Sequence, residues 1–310
     1  MYFSLKKNLQ YNEKLLVVCR FKNERHILFE FIHHYLEEGV DSFLLINDQS
    51  MDHYIEKNPW LNKLIKKNVI RIVTPNTPYF IKKFTKNRQL KISSMNPNLT
   101  LQEYEYNLYI NYIKLFKWAI VVDSDEFMFS PNLKFKLKDI LNKKLNIYDY
   151  IKIPGKIFKP IESQQPKSVI NNNVITHSNY FDLECPNKSI KYIVKTKFIY
   201  ELKVHTAILK NFYQISAQKL ELSNVNNNII QLNHYKYQSL DYLKKIKYFR
   251  GGGMNANRYK NLPKFKIEKN NYNKNCSILK NKRKNLIEKI NSREQILPCY
   301  ELYNKKIKFK

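Results

Sequence analysis

The sequence predicts an α/β fold built on a mixed, mainly parallel sheet flanked by helices, and three observations predict it. The first is an uninterrupted apolar run, Trp118-Ala119-Ile120-Val121-Val122. Short, rich in β-branched residues and bounded by polar ones, it reads as a strand buried on both faces, the kind found in the middle of a parallel sheet. The second is that three acids, Asp123, Asp125 and Glu126, follow that run at once, and ligands of open α/β sheets bind at the carboxyl ends of strands. The third is a strand, helix, strand order between residues 15 and 46, the unit that makes a right-handed parallel crossover.

Taken in order, Leu15-Leu16-Val17-Val18-Cys19 is the first strand, followed by the loop Arg20-Phe21-Lys22-Asn23-Glu24. A helix of roughly Ile27 to Glu38 comes next, with Leu28, Phe31, Ile32, Tyr35 and Leu36 on one stripe and Gly39 as its stop. Ser42-Phe43-Leu44-Leu45-Ile46 is a second strand and ends in the polar loop Asn47 to Asp52. Residues 69 to 73, VIRIV, supply a third, and a helix from about Leu101 to Leu115 feeds the strand at 118 to 122. Apolar alternation before His205 and His234 places each histidine at a strand end. Beyond Gly253 the chain turns rich in Lys and Asn, with a modest amphipathic helix near Asn281 to Ile290 and a basic end, NKKIKFK. This shift marks off a basic helical extension at 256–310.

Composition narrows the function classes. A chain of 310 residues has room for a large core. Its formal charge of +29 invites a nucleic-acid or anionic-membrane partner. The lysines are nevertheless spread along the whole chain amid abundant Asn, Ile and Tyr, a bias that A/T-rich codon usage also produces, and no helix-turn-helix, zinc-finger or ribonucleoprotein signature is present. No specific nucleic acid is expected, and at most a peripheral membrane contact. Cys19, Cys185, Cys276 and Cys299 have no paired spacing, so neither a zinc site nor a disulfide framework is expected. The first residues hold no apolar signal core, and no run reaches the ~18 apolar residues of a membrane span, so the expected setting is cytoplasmic. The sequons at Asn98, Asn187 and Asn275 then occur by chance.

Carboxylates at i and i+2 just past a strand can turn toward one point, and hard divalent ions such as Mg²⁺ or Mn²⁺ prefer such oxygen ligands. Acids set against an apolar strand repel one another and resist desolvation unless a cation joins them. The plainer reading is an acidic turn with Asp125 capping a helix.

The series VVCRFKNE, then FIHHYLEEGVDSFLLINDQSMD, then WAIVVDSDEFMF resembles the nucleotide-sugar half of glycosyltransferases of the GT-A fold, of the family-2-like and family-92-like kind. Those families carry signatures similar to R-N-E, E-W-x-x-H-H-x-x-x-G-V, N-x-S-x-D and D-x-D-E-F. The likeness continues in NKSIKYIVK, in Val204-His205 and in LNHYKYQSLDYLKKIKYFRGGG, and so covers about residues 14 to 253, implying one domain with a nucleotide-sugar-binding half at 1–155 and an acceptor-binding half at 156–255. It departs where Lys22 separates Arg20 from Asn23-Glu24, and where the 47–52 loop lacks a Gly after its Asp.

The resemblance implies a metal-dependent hexosyltransferase that uses Mn²⁺ or Mg²⁺ and a nucleoside diphosphate sugar, with uridine diphosphate the expected carrier and a glycan, protein or lipid-linked sugar as acceptor. It assigns Asp123 and Asp125 to the metal, with Glu126 behind them or at a helix start, and His205 or His234 as the closing ligand. Arg20, Asn23, Glu24, Asn47 and Asp48 would hold the nucleoside, or serve as turn and cap residues. Lys191, Lys195, Lys245 and Arg250 with Gly251-Gly252-Gly253 could form a cationic lid over the diphosphate, or a flexible helix terminus; the chain has only 5 glycines. An inverting enzyme needs a general base, for which Asp182 and Glu184 are named from a group that includes Glu162 and Glu201. His33-His34 reads as a core or helix-edge pair. The rival is a basic nucleic-acid-binding protein on an α/β scaffold, since fold alone does not establish catalysis; a metal-dependent phosphohydrolase is a third possibility.

Overall fold

The computed structural model describes residues 11–75, 99–161, 164–173, 175–177, 190–210, 221–222, 225–242, 246, 272–275, 277–296 and 298. Its strands are β1 (Tyr11–Phe21), β2 (Ser42–Asn47), β3 (Ile70–Val73), β4 (Phe116–Asp123), β5 (Glu126–Phe129), β6 (Tyr150–Ile157), β7 (Ile175–His177), β8 (Ile190–Lys195), β9 (Ile199–Leu202), β10 (Ala207–Leu209), β11 (Glu221–Leu222), β12 (Gln231–His234) and β13 (Tyr272–Asn275). Nine of these join in one sheet of order β3-β2-β1-β4-β8-β6-β12-β5, with β11 added to β6. The pairs β1·β2, β1·β4, β2·β3, β6·β12 and β6·β11 run parallel, while β4·β8, β6·β8 and β5·β12 run antiparallel. The mixed, mainly parallel sheet expected from the sequence is therefore the observed one.

Alternation of side chains across the pleat explains why the central strands are apolar throughout. Leu15, Val17, Cys19, Trp118, Ile120 and Val122 enter one core, and Leu16, Val18, Ala119 and Val121 the other. The first core is roofed by helix α1 (Leu28–Glu37), through Phe31, Ile32 and Tyr35, and by the helix Leu137–Lys143. The second is covered through Tyr106 and Ile113 of two short helices. Gly39 ends α1 at φ +85°, where a Cβ would come within 3.0 Å of Lys138 Cβ, so both the left-handed turn and the close approach need glycine.

The single helix expected over 101–115 is two pieces, Leu101–Leu108 and Ile110–Ile113. A capping box, Thr100 with Glu103, starts the first piece. Near its end, Asn107 turns its amide to β9, donating to Leu202 O at 2.8 Å and accepting from Leu202 N at 2.9 Å. Asp125 caps no helix: Glu126, the next residue, opens β5. The C-terminal extension packs through the helix Lys284–Asn291, whose Leu286 and Ile290 meet Phe29 of α1. Among the described residues no helix is long and apolar enough to cross a membrane.

Candidate functional site

Parallel pairing brings the ends of β1, β2 and β4 level. Phe21 lies opposite Asn47, and Arg20 opposite Asp123. The loops that leave these strands therefore share one edge, and their polar side chains tie them together. Asn23 N donates to Ser50 Oγ at 2.9 Å, Met51 N to Asn23 Oδ1 at 2.7 Å, and Ser50 N to Asn47 Oδ1 at 2.8 Å. Asn23 and Gln49 both sit at φ +54°, a region that asparagine tolerates better than most residues. Asn23 and Asn47 thus serve the loop backbones directly.

Arg20 lies between two carboxylates, its Nη2 2.8 Å from Asp48 Oδ2 and its Nε 2.5 Å from Glu105 Oε2. Burial opposes its charge, but Asp48 and Glu105 outweigh that, and its pKa is raised. Lys22 adds a second cation 3.4 Å from Asp48 Oδ2. Glu24 is buried with its Oε2 3.7 Å from His26 Nε2, on the side where His26 meets Gln238 Oε1 at 3.1 Å.

The acids after β4 gather around one lysine. Lys191 of β8 is fully buried, with Nζ 2.8 Å from Asp123 Oδ2 and 3.2 Å from Glu126 Oε2. Gln102 donates to Asp123 Oδ1 at 2.9 Å, and the Asp123 N–H donates to Glu126 Oε2 at 2.9 Å. Burial works against the charged form of Asp123, yet the Lys191 ammonium prevails and holds the carboxyl below the ordinary aspartate range. For Glu126 burial prevails over Lys191, and its pKa is raised. The Lys191 pKa is raised because Asp123 and Glu126 outweigh its own burial.

Asp125 and His234 complete the cluster. The β5·β12 ladder sets His234 opposite Glu126, and Tyr235 N anchors Asp125 by donating to its carbonyl at 2.8 Å. His234 Nε2 stands 3.6 Å from Asp125 Oδ1, and Nδ1 3.7 Å from Glu126 Oε1, beyond hydrogen-bond reach. His205 lies in the loop after β9, exposed, with Nδ1–H donating to Ile190 O at 3.1 Å. Its pKa is lowered by burial of part of the ring and by Lys191, with Asp123 opposing, and its bond to Ile190, the residue before Lys191, sets it beside the same cluster.

An oxygen from Asp125 and a nitrogen from His234 are donors that suit Mn²⁺ or Mg²⁺. Among the described residues, however, no group of three or more His, Cys, Asp and Glu is already arranged around a metal position. Two of the three acids, Asp123 and Glu126, are instead paired with the Lys191 ammonium.

The structure thus brings together Arg20, Asn23, Asn47, Asp48, Asp123, Asp125, Glu126, Lys191, His205 and His234 at one sheet edge. Lys191, expected over a diphosphate, is buried among the carboxylates. Lys195 pairs with Asp149 at 2.9 Å, and Glu201 with Lys203 at 3.4 Å. Asp182, Glu184, Glu162, Lys245, Arg250 and Gly251 to Gly253 lie outside the described residues. Sequence reasoning missed Gln102 and Glu105, whose only signal is that a polar stripe of the helix Leu101–Leu108 precedes the acidic strand end. His34 is a core residue: its Nε2 bonds Met128 O at 2.9 Å and its Nδ1 accepts from Arg283 Nε at 3.2 Å.

No protein-family model matches the chain, and a comparison with curated proteins finds no match. Among solved structures, it is similar to the mannosyltransferase PcManGT from Pyrobaculum calidifontis in complex with GDP-Man and Mn²⁺, at 9% identity and a TM-score of 0.29, over 49% of this chain and 39% of that one. The mannosyltransferase Ktr4p from S. cerevisiae aligns at 12% identity and a TM-score of 0.31, over 62% of this chain and 58% of that one. Glucosyl-3-phosphoglycerate synthase from Mycobacterium tuberculosis in complex with Mn²⁺ and UDP-glucose aligns at 9% identity and a TM-score of 0.32, over 76% of each chain. The chain spans less than two thirds of the length of the first two.

Proposed function

We propose that this chain is a metal-dependent glycosyltransferase that moves a hexose from a nucleoside diphosphate sugar, with uridine diphosphate as the carrier, to a hydroxyl of a glycan, protein or lipid-linked acceptor. One observation carries the proposal: three level strand ends present the loops 20–24 and 47–52 and the acidic turn 123–126 along a single edge. In this reading Asp48, held by Arg20 and Lys22, accepts from a pyrimidine N–H, while Asn23 ties the first loop to the second and Asn47 shapes the second from within. Asp125 and His234 would hold the divalent ion, with Asp123 beside them and His205 within the same field. Bound there, the ion would act as a Lewis acid toward the departing diphosphate. Asp182 and Glu184 remain the acids proposed to take the acceptor proton.

A thermal-shift panel of nucleoside diphosphates and their sugars, with and without Mn²⁺, tests this. A shift with uridine diphosphate that needs Mn²⁺ and vanishes in Asp125→Ala supports the proposal. No shift with any nucleotide overturns it. Salt-sensitive oligonucleotide binding that ignores both metal and Asp125 would install the nucleic-acid binder instead.

A further inference from the structure

The cluster at the end of β4 holds three carboxylates, Asp123, Asp125 and Glu126, and one cation that is completely shielded from water, Lys191. Its placement is built into the sheet. In the β4·β8 ladder Val121 faces Tyr192, so the preceding residue of β8 lies alongside the last residues of β4. The β6·β8 ladder fixes the other side, with Lys191 opposite Ile153. A lysine ammonium has three donors and a compact charge, and here one is directed at Asp123 Oδ2 and another at Glu126 Oε2. Two acids this close to each other would repel strongly in a partly desolvated site without an intervening positive charge.

We infer that Lys191 is the resident counter-ion of Asp123 and Glu126, a positioning residue with which any divalent ion engaging Asp123 must compete. The inference rests on the metal-binding part of the proposed function and is independent of sugar transfer. Its consequence is that affinity for the ion is held down by the protein itself. A lysine directed at a diphosphate would instead leave the carboxylates to attract the ion unopposed.

The test uses Mn²⁺ alone, without nucleotide, on the full chain. Mn²⁺ affinity is followed by electron paramagnetic resonance titration and stability by thermal melting, for the wild type, Lys191→Met, Lys191→Arg and the double variant Asp123→Asn with Lys191→Met. Lys191→Met is expected to melt lower without metal, to bind Mn²⁺ at least about tenfold more tightly than the wild type, and to recover melting temperature when Mn²⁺ is added. Lys191→Arg, which keeps the charge, is expected to bind like the wild type, and the double variant to lose the gain. Equal Mn²⁺ affinity in Lys191→Met and the wild type overturns the inference, as does a gain that survives in the double variant. Should Lys191→Met not fold without metal, folding of the double variant in its place supports the counter-ion role, and failure of both overturns it. Tighter Mn²⁺ binding by Lys191→Met together with a donor screen that finds no nucleotide rejects sugar transfer and keeps the counter-ion. The opposite pair of results does the reverse.

Discussion

The two sides of the sheet place their site residues by different means. On the β2-β1-β4 side, parallel strands end level, so each contributes the loop that directly follows it, and strand and loop are adjacent in sequence. On the β8-β6-β12-β5 side, Lys191 and His234 arrive through antiparallel ladders, from positions 68 and about a hundred residues beyond the acids they meet. A parallel edge therefore writes its site as contiguous motifs, whereas a mixed edge assembles one from the register between remote strands. The acidic turn belongs to both, since β4 closes the first side and β5 opens on the second.

The largest effect expected from breaking this arrangement is at Asp125. Replacement by Ala should lower transfer by about 10³-fold, because it removes a carboxylate oxygen proposed to hold the divalent ion. His234→Ala, from the opposite side of the sheet, should act in the same direction and more weakly. Steady-state kinetics with the donor found in the nucleotide screen would measure both. If His234→Ala leaves transfer and its metal dependence untouched, the site belongs to the parallel side alone.

A second break concerns what holds the parallel side rigid. Arg283 of the C-terminal extension is buried, donates to Glu38 Oε1, and lies 3.3 Å from Glu37 Oε2. Lys282 stands 2.9 Å from Glu38 Oε1, and Glu38 Oε2 accepts from Ser130 N at 3.2 Å and Leu137 N at 2.7 Å. One carboxylate thus ties the end of α1 to Ser130 just past β5, to the helix Leu137–Lys143 and to the extension. Arg283→Ala leaves Glu38 without its buried guanidinium and should destabilise the fold by about 3–5 kcal/mol, read from the urea midpoint. An effect below about 1 kcal/mol would show that Glu38 does not depend on the Arg283 guanidinium.

Legibility in the sequence follows the same division. The apolar runs at 15–19, 42–46 and 118–122 read as buried strands, and the strand, helix, strand unit over 15–46 marked the first two as parallel. The carboxyl-edge rule then pointed to Asp123, and the resemblance added Arg20 and Asp48 on the loops after the other two strands. Nothing local marked Lys191 as an inward cation, since a lysine in a strand of a highly basic chain looks like any solvated lysine. Its role depends on the β4·β8 register, which is a long-range property. Glu105 was invisible for a related reason: its partner Arg20 is 85 residues away. The break in the helix over 101–115 escaped because Asn107 turns to a strand lying 95 residues later.

A pH experiment sharpens the comparison away from the edge. Glu30 of α1 is buried and accepts from Ser168 Oγ at 2.6 Å, Val169 N at 3.0 Å and Ile170 N at 3.3 Å, so it caps the helix Val169–Asn172. Burial raises its pKa to about 7 despite these donors. The folded state then binds the proton more tightly than the unfolded chain. Its contribution is complete below about pH 4.3 and is lost as pH rises to about 7, by on the order of 3 kcal/mol. His33 slopes the other way: burial, Lys289 and Arg293 lower its pKa to about 4, so its contribution is present above about pH 6.5 and is lost on acidification. Subtracting the stability profile of Glu30→Gln from that of the wild type isolates the first slope. A flat difference between pH 4.5 and 7 would contradict the buried, proton-retaining carboxyl.

The smallest expected effect is a control on the parallel side itself. Asn58 starts the helix Pro59–Lys66, accepting from Trp60 N and Leu61 N at 3.1 Å each through Oδ1, with Pro59 supplying the fixed φ of the first turn. That helix precedes β3 in the chain and packs against it. Asn58→Ala should cost about 1 kcal/mol in stability, because two helix N–H groups lose their acceptor. Nucleotide and Mn²⁺ affinities should stay at wild-type values, since the loop is held by Asn23, Asn47 and Ser50 independently of the cap. If Asn58→Ala weakens nucleotide binding more than it lowers stability, the loop takes its shape from the helix behind it, and the hydrogen bonds between the two loops are not what sets the edge.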